Sequence, residues 1–139
     1  MKKLFSIFAG ASVIALALFV QTASAQENAT RLIKQLEEDS DRLSNSVTKA
    51  LDKSKFDGTS TEDQLIRYIR DFEDCIDRLK KGWDKGEDPT FLAREVQTRA
   101  RAIDKFLKRN PLGGNVSTDW ATVRSDLIRL KNTKMIKTS

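Results

Sequence analysis

Between residues 29 and 130 the apolar residues recur at alternating steps of four and three, in runs broken by short clusters of turn formers. That spacing sets each run on one stripe of an α-helix, so the chain has several apolar stripes to bury at once. The first is Ala29, Ile33, Leu36, Ser40, Leu43, Val47 and Ala50, widened by Leu32 and Leu51. The second is Leu65, Ile69, Phe72, Ile76, Leu79 and Trp83. Leu92, Val96, Ala100, Ile103 and Phe106 or Leu107 make the third, and Val116, Trp120, Val123, Leu127 and Leu130 the fourth. The breakers are Phe56-Asp57-Gly58, the stretch from Gly82 and Gly86 to Asp88-Pro89, and Asn110-Pro111-Leu112-Gly113-Gly114. Glycine closes a helix readily, and the residue before proline is pushed out of the helical region. Thr59 with Glu62 has capping-box spacing, Ser60 or Thr61 could instead cap with Asp63 or Gln64 behind it, and Ser117 or Thr118 offers a cap to the last run. Helices are expected over roughly 28–55, 61–83, 90–109 and 118–132.

No run shows the two-residue alternation of a strand. A helix with one apolar stripe is unstable alone in water, and short loops favour antiparallel neighbours. The fold expected is all-α, an up-down-up-down four-helix bundle. An orthogonal array of four helices is the rival. In the up-down order Trp83 lies at one end and Trp120 at the other, each a core plug where the helices splay.

Ahead of the bundle, Lys2 and Lys3 precede an uncharged apolar run from Leu4 to Val20, and Ala23-Ser24-Ala25 supplies small residues of the kind a signal peptidase reads. A cleaved Sec-type signal peptide over 1–25, cut after Ala25, is expected, with the bundle domain over 26–139. An uncleaved anchor competes, because the run approaches the minimum span of roughly 17 residues. The A-x-A site and the polar sequence from Gln26 favour cleavage. The mature chain would then hold no transmembrane segment and reside in the periplasm or be secreted. The Met-Lys-Lys-Leu start looks bacterial, and no cysteine follows the cut for a lipid anchor. Losing Lys2 and Lys3, and no acid, lowers the formal charge from +5 to +3.

Histidine is absent and Cys75 is the one cysteine among 139 residues. Cys-x-x-Cys-His haem attachment, His-ligated haem, Glu-x-x-His di-iron sites and a Ser-His-Asp triad all lack their residues. No cofactor, metal or catalytic residue is expected, and the protein reads as non-enzymatic. Asp71, Glu73, Asp74 and Asp77 read as a solvated face, with Arg70 and Arg78 each four residues from Asp74. No turn with close-set oxygens around a glycine suggests a calcium loop. Ser40, on the apolar stripe, either bonds a carbonyl one turn back or marks a small polar notch. Cys75 is expected to be buried, with an intermolecular disulfide as the alternative.

Arg94, Arg101, Lys105 and Lys108 fall on one side of the third helix and form a candidate partner surface. Arg124, Arg129, Lys131, Lys134 and Lys137 enrich the last helix and tail. No aromatics interleave with these charges, which disfavours a nucleic-acid platform. Another envelope protein or an anionic envelope surface is the partner such charges suit.

The last helix reads Trp120-x-x-Val123-Arg124-x-Asp126-Leu127-x-x-Leu130. With the signal-then-bundle layout, it resembles the closing helix of small exported bacterial all-helical proteins of unknown function. That resemblance implies no activity and transfers no site. The function expected is macromolecular binding or a structural role in the bacterial envelope. A small-molecule or lipid carrier, with a cavity near Ser40 and the bundle ends, is the alternative.

Overall fold

The computed structural model describes the backbone of residues 5–133 and 135, and the side chains of residues 24–133 and 135. It contains α1 (Phe5–Leu51), α2 (Ser60–Asp84), α3 (Thr90–Arg109) and α4 (Gly114–Asn132), with no strand among the described residues. The signal peptide read over residues 1–25 lies almost wholly outside the residues whose side chains are described.

Pairs across the seams give the topology. Glu37 meets Lys80 at 2.6 Å and Thr30 meets Trp83 at 2.8 Å, so α1 and α2 run antiparallel. Glu95–Arg78 at 3.0 Å and Arg99–Asp71 at 3.6 Å do the same for α2 and α3. The Trp120 indole donates to Asp104 and Gln97 donates to the Leu127 carbonyl, reversing α3 against α4. Ser46 with Asp119, and Gln35 with Arg129, close α4 back onto α1. The bundle is up-down-up-down, and α3 and α4 touch least of the four neighbouring pairs.

The four stripes converge on one core. Ile33, Leu36, Leu43 and Val47 of α1 and Leu65, Phe72, Ile76 and Leu79 of α2 are buried. Val96 and Ile103 of α3 and Val123 and Leu130 of α4 complete it. Ser40, on the α1 stripe, is also buried, with its hydroxyl donating to the Glu37 carbonyl at 2.8 Å. That bond consumes its polarity without opening a notch.

Helix ends depart from the sequence reading where side chains intervene. Nothing between Ala25 and Ala29 breaks a helix, and Thr30 bonds back to the Gln26 carbonyl, so α1 does not start near residue 28. It stops at Leu51 rather than near residue 55, because the Ser54 hydroxyl takes the Leu51 carbonyl and the Phe56 amide. Thr59 caps α2 through the Glu62 amide, while the Glu62 carboxylate accepts from the Gly58 amide, a capping box displaced by one residue. The fourth helix begins at Gly114, not 118. Gly113, at φ +67°, turns the chain early, leaving Ser117 and Thr118 as exposed residues just inside the helix rather than caps.

Truncating a central stripe residue tests this packing. Phe72→Ala and Leu36→Ala should each lower unfolding free energy by about 3–5 kcal/mol in urea titrations. Ile128→Ala, at an exposed position, should stay within about 0.5 kcal/mol of wild type.

Candidate functional site

Arg94, Arg101 and Lys105 follow steps of seven and four and stand exposed along the outer ridge of α3. No acid shares that ridge, because Glu95 and Asp104 lie on its flanks. Glu95 is held by Arg78 and Arg99, whose cations keep its carboxyl below the usual range. Lys108, expected in the same group, instead bonds Asp104 at 2.6 Å. Asp104 also accepts from the Trp120 indole and faces Arg124 at 3.9 Å, and its pKa is lowered, first by Lys108. The side chains of Arg94 and Lys105 have no partner among the described residues, and that of Arg101 donates only to the neutral Thr98 hydroxyl at 2.9 Å. The ridge is therefore an uncompensated positive strip.

Beside it the loose α3·α4 seam leaves an open groove of about 630 Å³. Ala93, Leu130 and Met135 supply its apolar lining, and Arg94, Arg101 and Lys131 its charge. On the other flank of α3, a groove of about 380 Å³ takes Arg101, Lys105 and Arg109 beside Tyr68 and Phe106. Arg101 belongs to both.

Trp120 is buried and tied to Asp104, whereas Trp83 is half-buried and bonds Thr30 at the opposite end. Cys75 is fully buried, with its sulfur 3.9 Å from the Leu92 carbonyl. Burial, then the Glu95 charge, pushes its thiol pKa up, against the pull of Arg78. A bridge to a second copy would need the α2·α3 seam to open.

The acids of α2 do not form the ion pairs expected along the helix. Arg78 goes to Glu95 and Asp71 to Arg99, both across the α2·α3 seam, where a partner helix offers better geometry than the next turn. Glu73 turns toward α1. Its pKa is raised, first by burial and also by Asp41, Asp77 and Asp74, while Ser44 lowers it. Asp41 is raised as well, by burial and by Glu37 and Asp77. Among the described residues, Lys80 is the cation that pairs with this acidic seam, through Glu37.

Two acidic groupings escaped the sequence reading. Asp39 and Asp126 face each other, buried, across the α1·α4 seam. Asp52, Asp57 and Glu62 bring carboxylate oxygens within 4.8 Å of one another around the Gly58 turn, where no oxygen cluster was expected. A hard cation takes such ligands. All three are exposed or half-exposed, Lys53 and Lys55 adjoin them, and Glu62 is already engaged by the Gly58 amide, so the cluster defines no site by itself.

Compared with protein-family models, curated proteins and solved structures, the chain matches none. The functional reading rests on its own residues.

The Cys75 environment sets a simple test. The native thiol should react with an aromatic disulfide reagent at least about 100-fold more slowly than the urea-unfolded chain, since reaction waits on opening of the seam.

Proposed function

We propose that the protein is an exported, non-enzymatic helical bundle of the bacterial envelope that binds an anionic macromolecular partner through α3. The observation that carries this reading is the strip of Arg94, Arg101 and Lys105, exposed and without acidic partners among the described residues. Like-signed side chains held on one rigid ridge attract an oppositely charged surface and speed encounter with it. Lys108 contributes less, because Asp104 neutralises it locally. Among the described residues no helix is long and apolar enough to cross a membrane. The N-terminal signal pattern supports export, and the absence of histidine supports a binding role over catalysis.

The α3·α4 groove favours a second reading, a carrier of a small amphiphile. Its volume of about 630 Å³ lies within the range of ligand pockets, and its lining combines apolar and basic residues. It lies where α3 begins and α4 ends, at one of the bundle ends that the sequence reading named together with Ser40, and not at Ser40 itself.

Capture from a bacterial envelope extract separates these readings. Wild-type protein should retain an anionic macromolecule at low salt, with retention falling at least about tenfold in Arg94→Glu/Arg101→Glu/Lys105→Glu or in 0.5 M salt. Equal retention by the triple variant would reject the ridge as the binding surface. A bound small amphiphile in native mass spectra, with no macromolecule retained, would favour the carrier.

A further inference from the structure

Neither the core nor the basic ridge accounts for the acids of the α1·α4 seam. Asp39 of α1 is 6 % exposed and Asp126 of α4 is 2 % exposed. From α1, Arg42 places Nη1 2.9 Å from Asp39 Oδ1. From α4, Arg129 places Nη1 3.4 Å from Asp126 Oδ1 and shares it with Gln35 Oε1, also at 3.4 Å. Both guanidiniums are more than half exposed, so each neutralises its acid only from the rim. Asp119, further along the seam, is taken by Ser46. No charged group of α2 or α3 contacts the pair among the described residues. Asp126 Oδ2 is left buried with no hydrogen-bond donor among the described residues.

A buried carboxylate oxygen without a donor is costly, and a second carboxylate beside it compounds the cost. One proton resolves both problems. Carried on Asp126, it lets that side chain donate to Asp39, so repulsion between two helices becomes a hydrogen bond joining them.

We propose that Asp39 and Asp126 form a proton-operated latch, clamping α4 to α1 when one proton lies between them and loosening that seam when it leaves. α4 is the helix most exposed to such control, because its other neighbour, α3, holds it least. It also supplies Leu130 and Lys131 to the basic groove, so the latch bears on the shape of that groove. The latch stands whether or not the ridge binds the partner suggested above.

The direction of the pH effect follows from linkage. Burial, then Asp39, pushes the Asp126 pKa from 3.8 to about 6, with Arg129 opposing. Between those values the folded protein holds a proton that the unfolded chain has released. Stability therefore rises as pH falls from 7 toward 4.5, and is lost as pH rises through about 6. Asp41 and Glu73, also raised, add to this effect from the α1·α2 seam, whereas Glu95 and Asp104, whose pKa values are lowered, act in the opposite sense and at more acidic pH.

Urea unfolding of the purified protein at pH 7.2 and 4.8 provides the test. The wild-type folding constant should rise on the order of tenfold at the lower pH. Asp126→Asn, which offers Asp39 a permanent amide donor, should be at least as stable as wild type at pH 7.2 and should lose most of the rise over this window. Hydrogen exchange, corrected for intrinsic rates, should show α4 amides better protected at pH 4.8, with the α2·α3 seam little changed. A wild type no more stable at pH 4.8, or an Asn variant that keeps the full rise, would overturn the latch. If the variant fails to fold, carbon-13 carboxyl titration of wild type decides: a midpoint for Asp126 near 6 supports the latch, and one near 4 refutes it.

Discussion

The structure depends on excluding water from four apolar stripes at once. With one cysteine, already buried, no internal disulfide can help, and each helix would be marginal by itself. Burying Phe72, Leu36, Leu79 and Ile103 in a shared interior fixes where every other side chain points. The seams, and what they can do, are consequences of that burial.

The four seams differ in electrostatic character. Along α1·α2, Glu37, Asp41, Glu73 and Asp77 gather, Lys80 pairs with Glu37, and mutual repulsion helps to raise Asp41 and Glu73. The α2·α3 seam is stitched by Arg78–Glu95 and Arg99–Asp71, which are partly exposed and screened, so they guide register more than they stabilise. Between α3 and α4 the helices stand apart and the rim is basic. The α1·α4 seam packs most closely yet encloses two acids. Positive charge thus gathers where the bundle is open, and acids meet where it is closed.

Much of the fold was legible because helical periodicity is local. Every stripe residue from Ile33 to Val47 and from Leu65 to Leu79 is buried, including Ser40. Helix ends were less legible, since Ser54 and Gly113 act through side-chain bonding and backbone rotation that periodicity does not register. Arg94, Arg101 and Lys105 could be found by spacing alone. The pairing of Lys108 with Asp104 was also open to spacing, as residues four apart, but Arg101 stands three residues before the same acid and only the structure shows which cation it takes. Asp39 and Asp126 look like ordinary flank acids. Their burial depends on which flank of α1 receives α4, a choice of bundle handedness that amphipathic spacing leaves open. The Asp52, Asp57 and Glu62 cluster likewise depends on the path of a loop.

The central claim is that these stripes meet in antiparallel order, and the two indoles report on it at opposite ends. Nuclear Overhauser spectra of the isotope-labelled protein address it most directly. The Trp83 indole proton should show cross-peaks to Thr30, and that of Trp120 to the side chain of Asp104. Spectra in which both sets are missing, with the indoles instead near residues of other helix pairs, would contradict the bundle and every seam derived from it.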